Sequence, residues 1–125
     1  MILIDTSSWV HQQRSKGDPA VQKRVEALLL NGLAAWCPVT RVELWAGVRN
    51  EKERNILRQY EQTIPELPIN DEIWQMACDL ADLGRARGKT FPSNDLMIAA
   101  CALFHEVEME HADKHFDEIL KLKKP

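Results

Sequence analysis

Nine consecutive residues, Leu96 to Phe104, carry no charged or strongly polar side chain. Read as a helix, this segment has no polar face, and a helix that is apolar all round must be covered on every side. It is far short of the ~20 residues that cross a bilayer, so the cover has to come from other elements of the same chain. A second apolar run, Met1 to Ile4, is cut off by Asp5. Such a run suits a strand buried on both faces, the situation of a central strand in a parallel sheet.

The rest of the chain reads as helices separated by short extended pieces. Thr6, Ser7 and Ser8 supply cap-type residues ahead of a short helix, and Asp18-Pro19 reads as an N-cap with a first-turn proline. Val21, Val25, Leu28 and Leu29 follow at helical spacing until Asn31-Gly32. Leu33 to Cys37 predicts a second strand stopped by Pro38. The spacing of Thr40 and Glu43 predicts a capping box opening the next helix. A charged helix is predicted over about Glu51 to Gln62, and an extended segment over Ile64 to Ile69. Ile73, Ala77, Leu80, Ala81 and Gly84 form one apolar stripe, followed by an expected basic loop from Arg85 to Lys89. Val107 and Met109 alternate with glutamates as a weak strand, ahead of a last turn or helix and a lysine-rich end. Short strands alternating with helices predict an α/β fold, a three-layer α/β/α domain with a mostly parallel central sheet, spanning residues 1–125 as one domain.

Composition narrows the function classes. With 125 residues and a net charge of −3 the chain is no basic nucleic-acid coat, so any RNA contact needs a local basic patch or bound cations. Cys37, Cys78 and Cys101 lie in apolar stretches without metal-type spacing and read as buried, reduced thiols, which fits a cytoplasmic protein. No signal peptide precedes Ile2, and no apolar stretch is long enough to span a membrane.

Four acids occupy comparable topological places. Asp5 closes the first strand, Glu43 is expected in the first turn of the helix after the second, Asp95 in the first turn of the apolar helix, and Asp113 follows the last strand. Right-handed crossovers bring strand-to-helix junctions to one edge of a parallel sheet, where ligands bind. Carboxylates gathered there repel one another unless a cation lies between them. Oxygen ligands without a cysteine pair favour magnesium or manganese over zinc. Two such ions about 3.5–4 Å apart activate water and stabilise the leaving oxygen in phosphodiester hydrolysis. Taken singly, each acid has an ordinary structural use as a helix cap or dipole partner.

Three stretches carry a family resemblance. Ile2 to Trp9, around Asp5, resembles the opening strand and first acid of PIN domains, particularly VapC-type toxins. Thr40 to Gly47 resembles their second motif, and Gly88 to Ala100, around Ser93-Asn94-Asp95, is similar to their most recognisable block. The resemblance runs in order along essentially the whole chain. It implies metal ligation by Asp5, Glu43, Asp95 and Asp113, with Mg2+ or Mn2+ as cofactor. It further implies that Thr6 or Ser8 holds water or a phosphate oxygen beside Asp5, and that Asn94 supports Asp95. The implied activity is metal-dependent endonucleolytic cleavage of RNA, by a homodimeric toxin inhibited by a cognate VapB-type antitoxin whose C-terminal segment enters the groove.

The fourth motif departs from the family pattern. His111, Asp113, His115 and Phe116 keep the first acid and the phenylalanine, with histidines at the flanking places. The histidines stand four apart, a spacing that also suits a zinc pair on a helix, and His115 is placed to donate a proton or hydrogen bond near a scissile phosphate. Arg85, Arg87 and Lys89 are candidates to track an RNA backbone, with Arg41 and Arg49 flanking the Glu43 helix. Trp9, Trp36, Trp45 and Trp74 read as core or groove residues. Two other readings stand beside the toxin: a PIN nuclease of RNA processing without an antitoxin, and a non-catalytic PIN-like binding module. A phosphatase that uses an aspartyl-phosphate is disfavoured, because Ser7 stands where its second aspartate belongs.

Overall fold

Five helices open on an Asp or Asn whose side-chain oxygen accepts a hydrogen bond from a backbone N–H of the first turn: Asp5, Asp18, Asn50, Asn70 and Asp113. This punctuation divides the chain of the computed structural model, which describes residues 1–122. The order is β1 (Ile2–Ile4), α1 (Thr6–Gln13), α2 (Pro19–Leu30), β2 (Ala34–Ala35), α3 (Pro38–Ala46), α4 (Glu51–Thr63), α5 (Asp71–Ala86), α6 (Ser93–Phe104), β3 (Glu108–Glu110) and α7 (Lys114–Lys121). Of the lysine-rich end, Lys123 and Lys124 lie outside the described residues.

The sheet runs β2-β1-β3 with both pairings parallel, Leu3 facing Ala35 on one side and Met109 on the other. Alternation along the strands divides the core in two. Leu3, Ala35 and Cys37 pack with residues of α5, α6 and α7. Ile4, Ala34 and Trp36 pack with Trp9, Val21, Val25, Leu44 and Leu57 from α1 to α4. Leu3 and Ile4 are both fully buried, so β1 is covered on both faces, each such side chain contributing ~1.5–3 kcal/mol. From Leu96 to Ala102 every residue of α6 is buried, as a helix without a polar face requires. The three-layer α/β/α arrangement is the expected one, and all the described pairings within the sheet are parallel.

Several local expectations are corrected. β2 has two residues rather than five, because Trp36 leaves β1 and forms a parallel bridge to Glu66 in the 64–69 segment. The Thr40–Glu43 capping box is absent. Pro38, with its helical φ already set, starts α3 three residues earlier than a Thr40 cap would, and Cys37 caps it without a side-chain bond. Thr40 is buried with Oγ1 3.7 Å from Cys37 Sγ, and Glu43 moves to the second turn, where its carboxylate caps no backbone N–H among the described residues. The basic segment is helical at its start: Arg85 belongs to α5 and Arg87 is its C-cap, since no breaker occurs before Gly88. Asp95 does not follow a strand; α6 follows α5 through the short segment at 87–92. Cys37 and Cys101 are buried, but Cys78 of α5 is exposed. Trp9 and Trp36 are core residues, whereas Trp74 is 57% exposed.

Candidate active site

Parallel pairing places the C-terminal ends of β1 and β3 side by side, so Asp5 and Asp113 leave the sheet at one edge. The N-terminal turn of α6 and the second turn of α3 come to the same edge. Asp5 is the N-cap of α1 and is only 2% exposed. Its Oδ1 accepts from the Ser8 backbone N–H (3.0 Å) and its Oδ2 from the Ser7 hydroxyl (2.7 Å). Burial pushes its carboxyl above the ordinary range, against the pull of these donors.

Glu43 is held from two other elements. Thr6 Oγ1 donates to Oε1 at 2.6 Å and Asn94 Nδ2 to Oε2 at 3.3 Å. The resemblance implies that Thr6 or Ser8 holds water or a phosphate oxygen beside Asp5 and that Asn94 supports Asp95; the hydrogen bonds of Thr6 and Asn94 both go to Glu43. The hydroxyl directly after an N-cap aspartate faces along the helix start toward α3, and the amide at the second position of α6 reaches across to the same carboxylate. Thr6 and Asn94 therefore tie α1, α3 and α6 together through one acid.

Asp95 and Asp113 form the other part of the edge, with His115. One potential ligand atom from each lies within 4.8 Å of the others. His115 Nδ1 is 3.7 Å from Asp95 Oδ2 and 3.5 Å from Asp113 Oδ1. Asp113 also caps α7 by accepting from the His115 backbone N–H. The Asp95 carboxyl is raised first by burial and then by the negative charges of Asp113, Glu43 and Asp5, with His115 opposing. The charges of the other three predicted acids thus all reach Asp95. Among the described residues no lysine or arginine pairs with any of them, and His115 is the only basic side chain at salt-bridge distance. Mutually repelling carboxylates with no resident counter-charge, offering oxygen donors and one imidazole, fit a divalent cation.

Ser8, three residues past the cap, presents a buried hydroxyl with no hydrogen-bond partner among the described residues. Ser7 was not singled out by the sequence, although a hydroxyl two residues past an N-cap aspartate is the available signal. His111 does not share a helix face with His115. It precedes the Asp113 cap, approaches Asp117 at 3.2 Å and packs on Phe116. Nor do the basic candidates reach the acids: Lys89 pairs with Glu118 at 3.0 Å, and Arg85 donates to Thr90 at 3.4 Å. Arg41 pairs with Glu66, and Arg49 with Glu53. A cleft of about 410 Å³ adjoins Glu43 and Asn94, walled by Pro38, Val39, Val42, Ile69 and Trp74. Val42 in this wall is 64% exposed.

Comparison with known proteins identifies the family and the fold. The family model described as PIN domain aligns with residues 2–122. The chain is 33% identical to the VapC ribonuclease Mb1587 of Mycobacterium bovis, an alignment that spans 98% of this chain and 93% of that protein. Among solved structures, a chain of FitAB bound to an IR36 DNA fragment superimposes with a TM-score of 0.78 at 21% identity, covering 97% of this chain and 91% of that one. A chain of VapBC2 from Rickettsia felis, bound to a DNA fragment from its promoter, gives 0.76 at 19% identity over 94% and 92%. With a family match across nearly all its length and a VapC relative covered almost end to end, the chain belongs to the PIN-domain family, among its VapC-type members.

Proposed function

We propose that this protein is the toxin of a type II toxin–antitoxin pair, an endoribonuclease that hydrolyses RNA phosphodiester bonds with Mg2+ or Mn2+ in its acidic edge. The observation that carries this reading is the convergence of Asp5, Glu43, Asp95 and Asp113 from four separate elements, without a lysine or arginine to neutralise them. The similarity to VapC ribonucleases supports the RNA substrate. When bound, a divalent cation supplies positive charge to the phosphate and lowers the pKa of an attacking water.

The chain's own side chains prepare that chemistry. Asp5, Asp95, Asp113 and Glu43 hold the cation. Ser7 and the Ser8 N–H orient Asp5, while Thr6 and Asn94 keep Glu43 in one rotamer. The unpartnered Ser8 hydroxyl is suited to a water or phosphate oxygen beside Asp5. Arg85, Arg87 and Lys89 lie just ahead of α6 and supply positive charge for an RNA backbone. Since Lys89 is engaged by Glu118, the two arginines carry more of that contact.

The partner is a VapB-type antitoxin, an assignment supported by the VapBC2 complex among the structural neighbours. The protein forms homodimers and works in the cytoplasm, where its three thiols stay reduced. No helix among the described residues is long and apolar enough to cross a membrane. The direct test incubates the purified chain with assorted RNAs, with Mg2+ or Mn2+ and with chelator, beside Asp5→Asn. The expected result is metal-dependent fragments from a restricted set of RNAs, absent with chelator and absent with the variant. Fragments that persist in chelator, or are made equally well by Asp5→Asn, would refute the assignment.

A further inference from the structure

The two parts of the acidic edge differ in donor chemistry, because only one includes a nitrogen. We propose that His115 Nδ1 is a direct ligand of the cation held by Asp95 and Asp113. This would make that position a mixed nitrogen–oxygen site that prefers first-row transition ions to Mg2+, in contrast to the all-oxygen surroundings of Asp5 and Glu43. The inference rests on the metal-nuclease reading above and adds the identity of a ligand and the kind of ion.

Geometry carries the argument. His115 Nδ1 lies almost equally far from Asp95 Oδ2 and Asp113 Oδ1, 3.7 and 3.5 Å, too far for a strong hydrogen bond to either. Three atoms mutually within 4.8 Å leave a space that a single ion with bonds of about 2.0–2.2 Å nearly fills after small side-chain rotations. The imidazole, about half exposed, has an aromatic neighbour on one side. Phe91, itself nearly buried, meets the imidazole edge-on with centroids 6.1 Å apart. Phe91 in turn rests on Gly84 of α5, where an added Cβ would come within 3.1 Å of the phenyl ring. The glycine therefore permits the phenyl position, and the phenyl ring backs the face of the site that His115 occupies. Asp113, by capping α7, fixes the backbone of His115 two residues on.

Ligand softness turns this arrangement into selectivity. Carboxylate and water suit Mg2+, whereas imidazole binds the later ions far better, and affinity for a nitrogen-containing site rises from Mn2+ toward Co2+ and Ni2+. Loss even of an outer partner of a metal ligand costs ~10–100-fold in affinity, so removal of a direct nitrogen should cost at least about tenfold for these ions and little for Mg2+.

The test loads the full chain with Mn2+ and records electron spin-echo envelope modulation, with titration calorimetry of Mn2+, Co2+ and Mg2+ in parallel. Wild type and His111→Ala are expected to show nitrogen coupling to the manganese, and His115→Ala to lose it. His115→Ala should also weaken Mn2+ and Co2+ binding by about tenfold or more while changing Mg2+ binding less. His115→Asp, which restores an oxygen, should bind Mg2+ at least as well as wild type, with a smaller preference for Co2+. Nitrogen coupling that is absent from wild type, or unchanged in His115→Ala, overturns the proposal and leaves the nuclease reading standing. Failure of the wild type to bind any divalent ion overturns both.

Discussion

The Asp5–Glu43 side of the acidic edge and the Asp95–Asp113 side bear like charges but are built in different ways. On the first, the carboxylate oxygens of Asp5 and Glu43 are occupied by donors from Ser7, Ser8, Thr6 and Asn94, and Asp5 is almost without solvent. On the second, the Asp95 side chain is 20% exposed and has an imidazole nearby in place of a network of donors. Donors that orient a carboxylate before the ion arrives reduce what must be ordered on binding. The Asp95–Asp113 pair, with the His115 backbone N–H on Asp113 as its one donor among the described residues, keeps more of its mutual repulsion. One side is organised by a set of donors and the other is held far more loosely.

The comparison breaks most visibly at Asp95. Asp95→Asn should abolish metal-dependent cleavage and remove most of the rise in Tm that Mn2+ gives the wild type. The same variant should melt higher than wild type when both are metal-free, because it relieves repulsion that the fold tolerates for function. Differential scanning calorimetry with and without Mn2+ checks both, and a lower metal-free Tm would count against the unorganised character of this side.

Glu43 offers the next largest effect. Thr6→Val and Asn94→Ala, which free its carboxylate without altering charge, should each lower Mn2+ affinity or cleavage by roughly tenfold. Their combination should fall well short of additive if both serve only to fix one rotamer. The dual use of Asp5 shows in stability. Asp5→Ala removes the α1 cap and should cost about 1–2 kcal/mol in urea denaturation, whereas Asp5→Asn, still a capping residue, should cost less than half of that.

The smallest effect is a pH dependence. The Asp95 carboxyl is raised by burial and by its neighbours' charges, so the folded protein holds this proton more tightly than the unfolded chain does. That destabilises the fold above the raised value. The penalty fades as pH falls through the window down to the ordinary value of ~4. The metal-free Tm advantage of Asp95→Asn should therefore shrink as pH is lowered from 7 toward 4. An advantage that grew on acidification would reverse the assigned sign.

Much of this was legible in the chain. An apolar run closed by Asp5 and a helix without a polar face fix a buried strand and a buried α6, and parallel pairing then gathers the acids. What the sequence left open depends on contacts between distant segments. Thr40 and Glu43 have capping-box spacing, but Pro38 starts the helix first, and only the fold shows Glu43 turned toward Thr6 and Asn94. Asn94 adjoins Asp95 in sequence, yet two successive helical residues point in different directions, so it serves a carboxylate 51 positions away. The approach of His115 to Asp95 likewise depends on α7 returning to α6, which no local pattern encodes.

Because Asp5 and Asp113 each begin a helix as well as belonging to the acidic edge, the chain cannot discard those two acids without loosening its own architecture. Glu43 and Asp95 begin nothing. Cells that survive forced overproduction of a poisonous enzyme should therefore divide into two groups. Lesions at Glu43 and Asp95 would leave abundant, soluble, inert protein, still able to engage its inhibitor. Truncating lesions at Asp5 and Asp113 would be found with depleted protein, harmless as much through degradation as through lost chemistry.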